Sequence, residues 1–399
     1  MILTTPAEAF AHKSSHHAGA PKAHTKAKIT RVKVSRSLEG VVIIEEKTGK
    51  VVTSTNSTRL FNPASNVKVS TSLLALRTFG PDYRFQTEIR TNGTINANGE
   101  LTGDLFVNGH YMLFGEKQAR ELAKMLNAKG IKSIKGNLYI SPDFAMDLRT
   151  TGTAAGNKLM AILDPHHKTP ALRNESELAF DGTPEVAITG TLKIGAPPAT
   201  ATLLATHNSP PLKDVLKVML CYSDNTMAAR FGEMLGGVTA LRKFLINDVG
   251  VSSKEVQLAS TSGLGVNRLS PRAMMTILQA IQAELKKSQL KLSDILAVAG
   301  VDEGTMKKRL NGPGEAGSVT AKTGTLPETD LGVSTLSGEL STTSEGSYLF
   351  VIFHIRGDVG RFRARQNAIV ADFQGAHSGA LPIPYTPILP RVETEDYWS

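Results

Sequence analysis

The 399-residue sequence predicts a mixed α/β (α+β) protein whose two chain ends share one sheet and whose middle carries an inserted α+β domain. The shared sheet rests on order: a strand pair and an apolar helix come first, and three strand-like runs and a helix come last. The insertion rests on a change of texture between about residues 86 and 200, where short strand candidates replace longer apolar runs. The length leaves room for two or more packed domains.

The first segment, "HKSSHHAGAPKAHTKAKITRVKVSRS", has many cations and histidines and no carboxylate, so residues 1–30 are expected to form a flexible basic arm. With a net charge of +9, the chain should be drawn to anionic surfaces: nucleic acid, anionic lipid or an acidic wall polymer. His12, His16, His17 and His24 could bind a metal adventitiously, but their irregular Ala/Gly/Pro setting argues against a shaped site. Ala9-Phe10-Ala11 has the small-x-small form of a processing site, without the apolar segment that should precede it. It is either the tail of a secretion signal that starts upstream or a coincidence. No apolar run approaches the roughly 18 residues needed for a membrane span. The single cysteine, Cys221, excludes an intrachain disulfide and is compatible with either redox compartment.

"LEGVVIIEEKTGKVVTSTNSTRLF" (38–61) reads as a hairpin turning at Lys47-Thr48-Gly49. "NPASNVKVSTSLLALRTFG" reads as a deeply packed helix beginning at Asn62-Pro63 and ending at Gly80. Within 86–200, "QTEIRTNG", "GDLFVNG", "SIKGNLYIS" and "EVAITGTLKIG" are short strands around one amphipathic helix at 115–130, where Ala119, Leu122 and Leu126 recur at helical spacing. Helical blocks follow from Leu212 to Ala240 and from Ser270 to Val298. "SVTAKTGTL", "LGVSTLSGEL" and "SYLFVIFHI" are strands, "RFRARQNAIVADFQG" is a helix, and 381–399 is a proline-spaced tail. Residues 31–85 and 201–380 are thus expected to build one domain around the insertion.

Ser65 and Lys68 stand three apart, on one face of a helix, so the amine can reach the hydroxyl. Serine is a poor nucleophile until a base takes its proton, and lysine serves only if burial and nearby positive charge lower its pKa. Alone, S-x-x-K is equally a helix cap and a surface lysine. Ser223-Asp224-Asn225 at a helix boundary and Lys322-Thr323-Gly324-Thr325 in a strand change the weighting. S-x-x-K, S-D-N and K-T-G, in that order, are the signature set of penicillin-binding proteins and serine β-lactamases. In that setting Ser223 can relay a proton between Lys68 and the leaving group, and Asn225 can donate to a substrate carbonyl. Lys322 supplies positive potential, Gly324 leaves room for substrate along the strand, and Thr323 and Thr325 can hold a terminal carboxylate.

The segment "NPASNVKVSTSLLAL" resembles the D-alanyl-D-alanine carboxypeptidase/endopeptidase family, the class C low-molecular-mass penicillin-binding proteins. "LNAKGIKSIKGNLYIS", "SPPLKDVLKVMLCYSDN", "VNRLSPRAMMTILQA" and "AVAGVDEGTMKKRLNG" extend the likeness from about 38 to 375. The resemblance implies a penicillin-binding protein/serine β-lactamase-like transpeptidase fold, an antiparallel sheet flanked by helices with an inserted domain. It also implies a periplasmic or extracellular D,D-peptidase acting on peptidoglycan stem peptides or their crossbridges, with β-lactams as covalent inhibitors. Ser65 would be the acylated nucleophile, Lys68 its base, and the backbone N–H groups of Ser65 and Thr325 the oxyanion hole. No metal or organic cofactor and no nucleic acid partner is implied, and the oligomeric state is not specified.

Three departures are visible, one being "GDLFVNGHYMLFG" where the family typically has a glycine- and aspartate-rich turn. The Ser65–Ser223 interval is short for relatives with two nested insertions, so one inserted domain is expected. The family's D-G-S-G segment appears as "ASTSGLG" (259–265), without the aspartate but with Ser262 and Gly263, so the rim of the site is expected to be altered. A β-lactamase or esterase of the same fold is an alternative, although no E-x-x-L-N stretch lies between the second and third motifs and "NESELAF" lies before the second. A non-catalytic wall-binding module is another. Cys221 reads as a small buried hydrophobe, "DPHHK" (164–168) as a surface turn, His354 as a polar group near a strand end, and "RFRAR" (361–365) as solvated charge. His110 and His207 carry no signal.

Overall fold

The computed structural model describes residues 38–109, 111–147, 150–167, 185–344, 346–388 and 396–399. The expectations for the basic arm, for Ala9-Phe10-Ala11, for the four N-terminal histidines, for "NESELAF" and for His110 lie outside the described residues.

Strand β1 (Leu38–Glu45) turns back into β2 (Val51–Thr55), and the first helix, α1, runs Val67–Phe79. From the far end of the sequence come β8 (Ala297–Val298), β9 (Val319–Leu326), β10 (Val333–Thr342) and β11 (Gly346–Ile355). These six strands form one antiparallel sheet in the order β8-β9-β10-β11-β1-β2, with Leu38 opposite Ile355 and Glu45 opposite Tyr348. The two chain ends therefore share the sheet. Because side chains alternate across a strand, Val42, Ile44, Val351 and Phe353 join one core and Val41, Ile43, Phe350 and Ile352 another. The second core is covered by α8 (Val359–Ala376), which packs against β10.

The other face is covered by α7 (Pro271–Lys286), whose N-cap Ser270 accepts from Ala273 N–H, and α1 packs on α7. Helix α1 is buried nearly all round, as expected of a helix at the centre of a domain. Around it lie α4 (Leu212–Tyr222), α5 (Asn225–Met234) and α6 (Gly237–Asn247), so the first helical block is three helices reaching past Ala240.

Between α1 and α4 the chain builds its own sheets. The larger contains β3 (Gln86–Thr91), β4 (Leu105–Gly109), β5 (Leu138–Ile140), β6 (Leu192–Ile194) and β7 (Thr202–Asn208), in the order β6-β5-β4-β3-β7. A four-stranded sheet uses Thr94–Ile95, Glu100–Thr102, Ser133–Lys135 and Ala187–Ile188. Helix α2 (Glu116–Ala128) buries Ala119, Leu122 and Leu126 as its spacing predicts. A second helix, α3 (Gly152–Leu163), was not legible: it buries Leu159 to Leu163 in an unbroken run, without an amphipathic stripe. The proline-spaced tail also ends in structure, because β12 (Tyr397–Trp398) pairs with β7.

Candidate active site

The helix expected to begin at Asn62-Pro63 starts instead with a single tight turn, Ala64–Asn66, that leads into α1. Ala64 has φ +46°, an uncommon backbone conformation for a residue with a Cβ. Six side-chain contacts hold this turn. Asn62 Oδ1 accepts from Ala64 N–H (3.1 Å), and Asn62 Nδ2 donates to Gly265 O (3.0 Å) and Asp330 Oδ2 (3.1 Å). Thr335 on β10 donates to Pro63 O (2.9 Å) and accepts from Asn66 Nδ2 (2.7 Å), while Ser337 donates to Asn66 Oδ1. From Phe61 to Ser70 every residue is buried except Ser65, which is half-buried. The turn thus presents one hydroxyl and little else.

Lys68, one turn on, is buried, and its Nζ lies 3.0 Å from Ser65 Oγ. The same nitrogen donates to Asn225 Oδ1 (2.7 Å) and to Ser262 O (2.7 Å). Both of those oxygens can only accept. A neutral amine has two N–H bonds for them and one lone pair left, directed at the Ser65 hydroxyl. Burial pulls the Lys68 pKa down to about 7, and the Asp224 carboxylate pulls the other way. The ASTSGLG loop therefore does supply a group to the site, a backbone carbonyl that its side-chain pattern does not reveal. Gly263 has φ +87° and lies so close to Ala64 that a Cβ there would sit 2.0 Å from Ala64 O.

Ser223 is the left-handed residue between α4 and α5, with φ 58°, and Asp224 caps α5 by accepting from Met227 N–H (2.8 Å). This break between two helices places Ser223 and Asn225 on the cleft wall. Ser223 Oγ accepts from Lys322 Nζ (2.8 Å), which also donates to Thr323 O (2.7 Å). Among the described residues Ser223 does not bond directly to Lys68. Lys322 is fully buried, and burial first, then the positive charge of Lys68, holds its pKa well below the lysine range. Its backbone comes from β9, which runs past the Ser65 turn.

Gly324 has a different role from the expected one. A Cβ on it would meet Thr335 Oγ1 at 2.1 Å, Pro63 O at 2.8 Å and Ala64 Cβ at 2.9 Å. It therefore lets β9 press against the Ser65 turn, whereas the sequence reading had it clearing space for substrate. Thr323 and Thr325 line a cleft of about 740 Å³ together with Ser65, Ser223 and Asn225.

The cleft is also walled by the 303–309 loop and by α8. Thr305 N donates to Cys221 O (2.9 Å), tying this loop to the second motif, and buried Lys217 and Asp302 pair at 2.6 Å behind it. Cys221 is buried and its thiol is pushed up to about 12 by burial, so it behaves as the small hydrophobe expected. The wall also carries Lys307, Lys308, Arg309 and Arg363, none of which sequence reasoning placed in the site; Arg363 was read with "RFRAR" as solvated charge. His354 is a buried strand residue whose Nε2 lies 2.9 Å from Glu39 Oε2, away from the cleft. His166 and His167 bond to Asp164 and to Ile188 O. His207, silent in sequence, is buried against Asp396 (2.5 Å) and ringed by Tyr111, Phe114 and Trp398.

Comparison with known proteins agrees with this geometry. The model of the D-Ala-D-Ala carboxypeptidase 3 (S13) family matches residues 23–150 and 170–372. The chain is 22% identical over 407 residues to the D-alanyl-D-alanine carboxypeptidase of Actinomadura sp. strain R39, covering 76% of this chain and 75% of that one. Among solved structures, the penicillin G-acylated predatory endopeptidase of Bdellovibrio bacteriovorus superposes with a TM-score of 0.73 at 25% identity, covering 89% of this chain and 97% of that one. Penicillin-binding protein 4 of Haemophilus influenzae superposes with a TM-score of 0.64 at 22% identity, over 84% and 96% of the two chains. Since the family model spans most of the sequence and the fold is that of penicillin-binding proteins, the chain belongs to the D-Ala-D-Ala carboxypeptidase 3 (S13) family and is a serine D,D-peptidase.

Proposed function

We propose that Ser65 is the acylated nucleophile of this peptidase and Lys68 its general base, acting on the D-Ala-D-Ala ends of peptidoglycan stem peptides and on their crossbridges. The observation that carries the reading is the set of three contacts at Lys68 Nζ, two to acceptor-only oxygens and the third to Ser65 Oγ. Neutral Lys68 takes the hydroxyl proton as Oγ attacks the carbonyl carbon of the penultimate D-alanine. Backbone N–H groups of Ser65 and Thr325 hold the developing oxyanion. Ser223, hydrogen-bonded to Lys322, passes a proton to the departing amine, and water then releases the peptide from Ser65. Thr323, Thr325 and Lys322, whose charged form the incoming anion favours, hold the terminal carboxylate, while Gly324 keeps β9 against the nucleophile turn. Asn225 orients both Lys68 and the substrate amide.

In this reading the segment from β3 through β7 is a domain inserted into the peptidase, and the protein works outside the cytoplasm, where its substrate lies. No described helix is long and apolar enough to cross a membrane. Glu303 is the carboxylate among the described residues lining the cleft, and it is ion-paired to Lys307 at 3.0 Å. That arrangement favours a slow deacylation of β-lactams and hence a peptidase over a β-lactamase.

Intact mass spectrometry after incubation with benzylpenicillin, followed by peptide mapping, tests the assignment. A persistent adduct on the peptide containing Ser65 is expected. An adduct on another serine, or none after prolonged incubation, would remove Ser65 from the mechanism, and rapid loss of the adduct would favour the β-lactamase alternative.

A further inference from the structure

Arg361, Arg363 and Arg365 are alternate residues on the first turns of α8, and a helix sends such neighbours to different sides. Arg361 and Arg365 line a surface depression with Glu39 and His354, and Arg365 is ion-paired to Glu39 at 3.1 Å. Arg363 faces the other way, into the cleft that contains Ser65. Its Nη2 donates to Thr325 Oγ1 at 3.0 Å, and among the described residues it has no carboxylate partner.

The backbone beneath it is fixed. Arg309, buried, donates to Arg363 O (3.3 Å), to Gln366 Oε1 (3.1 Å) and to Asn367 Oδ1 (2.6 Å). Two guanidinium groups are thereby held on one wall, and burial together with the charge of Arg363 pulls the Arg309 pKa down to about 10. Lys308 adds a further cation to the same wall. Like charges held together repel, and an anion in the cleft relieves that repulsion.

We infer that Arg363 is a specificity-determining residue whose guanidinium pairs with the free terminal carboxylate of the peptide substrate beside Thr325. The inference rests on the Ser65 reading above and adds the partner of that carboxylate. Guanidinium has five N–H donors in a planar fork suited to carboxylate, and one of them is engaged on Thr325. Because Thr325 Oγ1 accepts from Arg363, its own O–H is turned away from that donor and toward the cleft, where it can donate to the same carboxylate. A substrate ending in an uncharged group leaves the guanidinium unpaired.

The test compares a synthetic peptide ending in D-Ala-D-Ala as the free acid with the same peptide as its C-terminal amide. Arg363→Ala is expected to lower kcat/KM for the acid by about 10- to 100-fold and to leave that for the amide within about twofold, with Arg363→Lys recovering part of the loss. Equal losses on acid and amide would mean that Arg363 only supports the fold, and unchanged kcat/KM on the acid would remove it from recognition. Calorimetric binding of both peptides to Ser65→Ala, with and without Arg363→Ala, separates this inference from the nucleophile assignment. Acid-over-amide preference that depends on Arg363 upholds the carboxylate contact even if benzylpenicillin labels another serine; no such dependence overturns it even if Ser65 is labelled.

Discussion

The charge on Lys68 decides whether the site can act, because an ammonium has no lone pair for the Ser65 proton. With its pKa drawn down from 10.5 to about 7, the amine is protonated below that value and free above it. The acylation rate by a chromogenic β-lactam is therefore expected to rise with pH through about 7, falling about tenfold per unit on the acid side. A flat profile between pH 5 and 9 would argue against Lys68 as the base. Asp224 opposes the shift by stabilising the ammonium, so Asp224→Asn, which keeps an acceptor for Met227 N–H, should move the acid limb to lower pH. Lys68→Ala should abolish acylation, whereas Lys322→Ala should slow it by weakening the positive field and releasing the Ser223 hydroxyl. The three motifs were legible because their chemistry resides in side-chain types at short spacing. Ser262 was less so: the group that reaches Lys68 is its main-chain oxygen, and any residue type has one.

Among the elements, the critical contact is between β9 and the Ser65 turn, and glycine at 324 permits it. In Gly324→Ala the added methyl would approach Thr335 Oγ1 at 2.1 Å and Pro63 O at 2.8 Å, so the strand or the turn must move. Thr335 is itself bonded to Pro63 O and to Asn66, and a shift there would reach Ser65 directly. We expect about 1–3 kcal/mol of destabilisation and a marked loss of acylation rate. Thermal unfolding and β-lactam labelling would measure the two effects; a variant matching the parent in both would mean that β9 is not pressed against the turn. The K-T-G pattern identifies this glycine, but the direction of its missing Cβ is a property of the register Gly324–Thr335, which no local sequence specifies. The same limit applies to α8. The run "RFRARQNAIVADFQG" is readable as a helix, yet which of its three arginines faces the cleft depends on how the helix lies across β10.

At the scale of the whole molecule, the sheet shared by the chain ends was legible because long β-branched runs have few alternatives to being buried strands. The environment of His207 was not, since its partners Asp396 and Trp398 lie at the other end of the sequence and reach it only through strand pairing of β12 with β7. Strand pairing also shows how the segment between α1 and α4 is attached. Its first and last strands are neighbours, with Gln86 opposite Asn208, and just outside them Ser209 N–H donates to Phe85 O (3.0 Å) while Ser209 Oγ accepts from Phe85 N–H (2.8 Å). Replacing residues 87–207 by a short turn would therefore join two ends that already lie side by side, and loop closure over so small a gap is inexpensive. The core is not wholly separate, because Phe85 stacks on Tyr111 as well as packing near Phe231. Exposing that ring should cost about 2–3 kcal/mol, seen as a lower Tm. Ser65, Lys68, Ser223 and Lys322 all lie outside the replaced residues, so fluorescent-penicillin labelling should survive in the folded variant. Cleavage of crosslinked peptidoglycan should fall further than labelling, since remote contacts supply binding energy that is used in the transition state. Equal loss of both activities in a native-like variant would mean that the segment shapes the catalytic centre, and undiminished cleavage of crosslinked wall would exclude it from substrate selection.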